Sequence, residues 1–107
     1  MFKVLKNLMS QIKINKKKNT RKSYTSFLLS NKKYLLNKIL EEAKELFNAA
    51  KLKNKKKIIH ESADLLYHFL VLLESKRINF NLVLKELKRR QRISGIQEKK
   101  NRKKNVR

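Results

Sequence analysis

Five of the chain's eight carboxylates fall in two short clusters, Glu41-Glu42-Ala43-Lys44-Glu45 and Glu61-Ser62-Ala63-Asp64. Thirty lysines and arginines surround them. On a helix Glu42 and Glu45 stand one turn apart, as do Glu61 and Asp64, so two antiparallel helices would present two carboxylate pairs to one point. Like charges at that spacing destabilise an isolated helix by roughly 0.2–0.5 kcal/mol per pair, and by much more when desolvated. A divalent cation reverses the sign of that interaction. All-oxygen ligation suits a hard ion, Mg2+ or Mn2+, better than zinc or copper. An ordinary solvated face would set each Glu four residues before a Lys. Here the residue four after Glu41 is Glu45.

The elements that must carry these residues are helical. With no proline and a single glycine, almost nothing interrupts a helix, and strand-like alternation is absent. Phe2, Val4, Leu5, Leu8, Met9 and Ile12 predict a first helix over residues 2–14 rather than a targeting segment. The run Asn15-Lys16-Lys17-Lys18-Asn19 reads as a linker by composition. Ser23 is placed to cap a short helix ending at Ser30, and a long helix is expected over residues 33–53. A second long helix, capped by Asn54, runs to Lys76, and a last one, capped by Asn79, covers residues 80–91.

On the first long helix Lys38, Glu41, Glu42 and Glu45 span an arc of about 100°. Leu35, Ile39, Ala43, Leu46, Phe47 and Ala50 fall on the opposite side, which is expected to face the core. On the second, Glu61, Asp64 and His68 share a narrow stripe, and Ile59, Leu66, Phe69, Leu70 and Leu73 leave it apolar nearly all round. The expected fold is therefore an all-α bundle of four to five helices with short connections and antiparallel neighbours. It divides into a helix and basic linker (residues 1–22), an all-α domain (residues 23–91) and a basic, disordered tail (residues 92–107). So short a chain, so apolar over residues 58–73, is not expected to close its core alone.

Composition removes several classes of function. No cysteine is present, which excludes disulfides, thiolate metal sites and nucleophilic thiols. Two histidines are too few for the usual zinc sites without cysteine. No apolar run approaches the roughly 20 residues that cross a bilayer, and no signal peptide is recognisable, so a soluble cytoplasmic protein is expected. The net charge of +22 invites a nucleic-acid reading. Half the basic residues, however, lie at the ends, eight in residues 1–22 and seven in residues 92–107, without interleaved aromatic residues for stacking on bases. The excess is lysine (23 Lys, 7 Arg) accompanied by eleven Asn, a skew that A/T-rich codons produce without selection for a partner.

The two clusters carry a resemblance. Glu-Glu-x-x-Glu followed by Glu-x-x-Asp resembles the all-α nucleoside-triphosphate pyrophosphohydrolases, the MazG-type superfamily. Ser23-Tyr24-Thr25, Lys38 before the first cluster, Ala49-Ala50-Lys51 and Glu61 through His68 are similar, within it, to the phosphoribosyl-ATP pyrophosphohydrolases of histidine biosynthesis. Residues 78–90 resemble that family's final helix, and residues 92–107 have no counterpart. The family has Lys-Val-Gly-Glu-Glu where this chain has Lys38-Ile39-Leu40-Glu41-Glu42. The resemblance implies Mg2+-dependent hydrolysis of phosphoribosyl-ATP to phosphoribosyl-AMP and pyrophosphate by a homodimer. It implies Glu42, Glu45, Glu61 and Asp64 as ligands of Mg2+ (or Mn2+) and Glu41 as the residue that orients or deprotonates water. Lys38 and Lys51 would contact phosphates. Ser23, Tyr24 and Thr25 would line the substrate pocket, with Ser23 equally placed as a cap. His68 is either a partner that orients the metal ligands or a satisfied core histidine, and Arg89 and Arg90 reach a phosphate or simply end a helix. A broader MazG-type nucleotide pyrophosphatase and a basic nucleic-acid-binding helical protein stand as alternatives.

Overall fold

The computed structural model describes residues 2–18 and 23–92, and every regular element among them is an α-helix. The order is α1 (Phe2–Lys18), α2 (Tyr24–Ser30), α3 (Lys32–Lys51), α4 (Lys55–Ser75) and α5 (Phe80–Arg92). Residues 19–22 and 93–107, which hold part of the expected linker and nearly all of the expected tail, lie outside the described residues.

Three expected caps are in place. Ser23 Oγ accepts from the Ser26 N–H at 3.3 Å, Asn54 Oδ1 from the Lys57 N–H at 3.2 Å, and Asn79 Oδ1 from the Asn81 N–H at 2.8 Å. Each satisfies a donor that a helix start leaves without an intrahelical partner. The first helix departs from expectation, since α1 continues through the lysine run read as linker. Lysine is a good helix former, and tertiary contacts fix the extra turn. Lys16 Nζ donates to the Glu74 carbonyl at 3.0 Å and lies 3.7 Å from Glu74 Oε1, while Ser26 Oγ donates to the Asn15 carbonyl at 2.9 Å.

The centre of the fold is the α3–α4 hairpin, which α1 and α2 cover. Ile12 of α1, Leu28 of α2, Leu35 of α3, and Leu70 and Val71 of α4 form the buried cluster. Burying a side chain of this size contributes about 1.5–3 kcal/mol. The apolar face expected for α3 is corrected. Leu35 and Ala49 are buried, whereas Ala43, Phe47 and Ala50 are exposed in the chain, Phe47 at 63%. Leu35, Ile39, Glu42, Leu46 and Ala49 recur in steps of four and three, the spacing of a seam between two packed helices. Leu36, Leu40, Ala43 and Phe47 form a separate, outward stripe. Ile59 and Leu66, expected to help bury α4 on several sides, are also exposed, and α5 buries none of its residues.

Both ends of α4 depend on a backbone conformation that no motif in the sequence announces. Lys53 and Arg77 have φ of 55° and 57°. Each closes a helix by the same pair of bonds, Lys53 N–H to Ala50 and Asn54 N–H to Ala49, then Arg77 N–H to Glu74 and Ile78 N–H to Leu73. Glycine normally fills such left-handed positions, because a Cβ there costs roughly 1–2 kcal/mol. Lys53→Gly and Arg77→Gly are each expected to stabilise the protein by about 0.5–1 kcal/mol, read as a higher melting temperature. A lower melting temperature in both would contradict the two turn conformations.

Candidate metal centre

The seam spacing places Glu42 between apolar neighbours on α3, and α4 brings Glu61 to meet it. Glu42 is 4% exposed and Glu61 is 7% exposed. One carboxylate oxygen each from Glu42, Glu45 and Glu61 lie within 4.8 Å of one another, and so do ligand atoms of His60, Glu61 and Asp64. Glu61 belongs to both groups. The four carboxylates singled out in the sequence are thus linked through Glu61, which groups with Glu42 and Glu45 and, separately, with Asp64. Glu42 Oε2 and Glu61 Oε2 are buried and have no hydrogen-bond partner.

This packing has an electrostatic cost. Burial pushes the Glu42 carboxyl above the usual carboxylate range, and the charges of Asp64 and Glu45 push the same way, against the opposing influence of Glu61 and Lys38. Glu45 is raised first by its hydrogen bond with the Glu61 carboxyl, then by desolvation and by the charges of Glu61 and Glu41. An all-oxygen set with two unpartnered buried oxygens fits a hard divalent cation, which would satisfy both oxygens and cancel the repulsion.

The basic residues divide. Lys38 Nζ lies 3.6 Å from Glu41 Oε1, and that charge raises the lysine further above its usual range. Both side chains are on the solvent side of α3, beside the trio. Lys51 is not brought there. It falls about 180° around α3 from Glu42, with its ammonium 5.6 Å from the centre of the Phe47 ring. Leu40, in the place of the family's glycine, is likewise on the far side of α3, 60% exposed, and does not crowd the carboxylates. Arg89 and Arg90 are held by Glu86 on α5, at 2.7 and 3.4 Å, and their hydrogen bonds, that of Arg89 first, bring its carboxyl down to about 2.

His68, 4% exposed, uses both ring nitrogens. Nδ1 donates to the Asp64 carbonyl at 2.8 Å, which fixes the tautomer because a carbonyl only accepts. Nε2 then accepts from the Tyr24 hydroxyl at 3.0 Å. Burial, helped by Tyr34, raises that phenol to about 12, so it keeps its proton. Glu42 Oε1 is 4.0 Å from Nδ1. His68 therefore braces the centre and is not itself available as a ligand. Thr25 hydrogen-bonds Tyr67, and Ser23 caps α2. The Ser-Tyr-Thr segment is thereby pinned to α4 through Tyr24 and Thr25. His60 was not singled out in the sequence, although its place four residues before Asp64 on one helix face was the available signal.

A pH dependence follows from Glu42. Between the ordinary carboxylate range and its raised value, the folded chain holds a proton that the unfolded chain has lost, so metal-free stability falls as pH rises through that window. In the presence of a chelator, Glu42→Gln should melt above wild type at neutral pH, and the gap should close as pH falls from the raised value to the ordinary carboxylate range. A gap of the opposite sign, or one indifferent to pH, would show that the carboxyl carries no such penalty.

Comparison with known proteins gives the family. The family profile described as phosphoribosyl-ATP pyrophosphohydrolase matches residues 5–91. The chain is 40% identical over 103 residues to a phosphoribosyl-ATP pyrophosphatase of Nitrosomonas eutropha, covering 95% of this chain and 88% of that one. It is 41% identical over 102 residues to a phosphoribosyl-ATP pyrophosphatase of Bacillus cytotoxicus, covering 94% and 95%. Against the histidine biosynthesis bifunctional protein HisIE of Helicobacter hepaticus it is 43% identical over 104 residues, 96% of this chain and 45% of that protein. With its paired acidic clusters on two packed helices, this all-α chain belongs to the phosphoribosyl-ATP pyrophosphohydrolase family of hydrolases.

Proposed function

We propose that the protein hydrolyses phosphoribosyl-ATP to phosphoribosyl-AMP and pyrophosphate, in the cytoplasm, as a Mg2+-dependent homodimer serving histidine biosynthesis. The observation that carries this reading is the trio Glu42, Glu45 and Glu61 in a chain of this family, with two of its oxygens buried and unpartnered. Water must add to phosphorus within a densely anionic chain, and pyrophosphate must leave. Bound Mg2+ would supply charge neutralisation on the phosphate oxygens. Glu42, Glu45, Glu61 and Asp64 would hold it, and Mn2+ satisfies the same donors.

The remaining roles fall to side chains around the trio. Glu41 is solvent-facing beside the carboxylates, a position from which it orients water or takes its proton. Its contact with Lys38 is a surface ion pair worth about 0–1 kcal/mol, so a substrate phosphate competes for the ammonium easily. Tyr24 and Thr25, fixed by His68 and Tyr67, would give a substrate pocket a rigid wall. Lys51 lies on the wrong side of its own α3 for this centre, and a contact with phosphate would require a site shared between chains.

Dimerisation is supported by the outward stripe of α3, where Leu40 and Phe47 are exposed, and by exposed Ile59 and Leu66 on α4. A second copy would bury what the chain leaves uncovered. Phe47→Glu is expected to shift the protein from dimer to monomer in light scattering after gel filtration. Dimers that persist unchanged would remove this face from consideration.

Purified protein given phosphoribosyl-ATP and Mg2+ should release pyrophosphate, and Glu42→Gln should lower the rate at least about 100-fold, the scale of losing a charge-stabilising group. Equal rates in wild type and variant would defeat the assignment of the centre. Faster turnover of deoxynucleoside triphosphates than of phosphoribosyl-ATP would favour the broader nucleotide pyrophosphatase.

A further inference from the structure

Two lysines stand in equivalent places about the carboxylate trio. Lys38 lies four residues before Glu42 on α3, and Lys57 lies four residues before Glu61 on α4. The two helices are antiparallel, so these steps run in opposite directions from the point where Glu42 and Glu61 meet. The lysine positions are therefore roughly 12 Å apart along the seam, at a rise of 1.5 Å per residue. Around α4, Lys57 falls about 40° from Glu61 and about 20° from Asp64, on the face that carries the centre. It is exposed, and among the described residues no side chain pairs with its ammonium. Lys38, by contrast, is already 3.6 Å from Glu41. The two ends of this row also differ in their surroundings. At the Lys38 end α2 covers the helices: the Phe27 and Tyr34 rings lie 5.0 Å apart, one turn before Lys38, and Tyr24 bonds His68, one turn beyond Asp64. The Lys57 end lies at the α3–α4 turn, where Lys53, Lys55 and Lys56 are also exposed. No carboxylate occurs between residues 46 and 60.

We propose that Lys57 binds the terminal phosphates of the substrate, the part that leaves as pyrophosphate, and so fixes the direction in which the phosphate chain crosses the centre. This rests on the hydrolysis of phosphoribosyl-ATP proposed above. The nucleoside end of such a substrate offers rings and hydroxyls, which suit the wall at α2. The terminal phosphates carry the most charge and no apolar surface, which suits the open, lysine-bearing end. In the reaction the water oxygen bonds to the α-phosphorus while its proton passes to Glu41. The bond from that phosphorus to the bridging anhydride oxygen breaks, and the oxygen departs on pyrophosphate with the bonding electron pair. Negative charge grows on the leaving group, and a positive charge held beside it lowers the barrier. An ammonium on a flexible stem serves there as a point charge that can follow the departing group.

The probe is pyrophosphate itself, measured by calorimetry on the full chain in Mg2+ and as an inhibitor of hydrolysis, with phosphoribosyl-AMP measured alongside. Lys57→Ala should weaken pyrophosphate about 10–100-fold, the scale of one hydrogen bond to a charged group, and leave phosphoribosyl-AMP unchanged. Lys55→Ala removes the same charge from a position about 160° around α4 from Lys57 and should change neither. Both side chains are exposed, and the cap from Asn54 uses the backbone N–H of Lys57, so each variant keeps the helix start. A loss in Lys57→Ala confined to phosphoribosyl-AMP would overturn the proposal, because the substrate would then run the other way. Equal losses in the two variants, or none, would overturn it too, leaving Lys57 a part of the general positive field. Pyrophosphate binding that needs Lys57, in a chain that leaves phosphoribosyl-ATP intact, would uphold the contact and refute the substrate assignment. A wild type that does not bind pyrophosphate overturns the contact whatever its substrate.

Discussion

Glu42 and Glu61 meet inside the seam between α3 and α4, each with an oxygen that no protein group satisfies. A buried polar atom left in that state costs about 1–3 kcal/mol, comparable to what burial of one leucine such as Leu35 returns. Two of them, beside each other and beside Glu45, take a sizeable share of the 5–15 kcal/mol by which a small domain is stable. The seam itself imposes no such arrangement. Leu35, Ile39, Leu46 and Ala49 continue it in apolar residues on either side of Glu42, and an apolar side chain there would remove the penalty. The hairpin is built around desolvated carboxylates that a bound cation would turn into a cross-link.

A centre under that strain holds its geometry only if its surroundings are rigid. Tyr24 and Thr25 tie α2 to successive residues of α4, His68 and Tyr67, and the Tyr24 and Tyr67 rings stack at 6.2 Å. His68 in turn holds the Asp64 carbonyl one turn back on its own helix. The position of α2 therefore reaches the carboxylates through hydrogen bonds of fixed direction rather than through apolar contact alone, which is adaptable. Lys16 does the same at the other end of α4, anchoring α1 on the carbonyl of Glu74.

Much of this was legible because it depended on local rules. Caps at Ser23, Asn54 and Asn79 follow from side chains that compete for helix-start donors, and they set three helix starts. The convergence of Glu42, Glu45 and Glu61 followed from spacing plus a short antiparallel turn. The misreadings share a cause. Periodicity ranks faces by polarity, and α3 has two apolar stripes, one interrupted by a carboxylate, so polarity alone points Phe47 and Ala43 at a core that the stripe containing Glu42 occupies instead. Residues 15–19 read as linker because composition carries no information about Glu74, 58 positions from Lys16. Lys53 and Arg77 gave no turn signal at all. In a chain with one glycine, left-handed positions are filled by residues that usually avoid them.

The outward stripe bears on the strength of the centre as well as on assembly. Leu40 and Glu42 point to opposite sides of α3, so the same helix presents a carboxylate to the seam and an apolar surface to its surroundings. With that surface in water, α3 is packed from one side only, and any opening of the seam would let solvent reach Glu42 and relieve the cost of burying it. A second copy packed over Leu40 and Phe47 would hold α3 from both sides. Solvent relief would then be lost, the carboxylates would lie in a lower effective dielectric, and their attraction for a divalent ion would rise with their mutual repulsion. In the proposed dimer, association and metal binding would therefore be linked: each would favour the other by the same free energy, without a partner residue touching the ion.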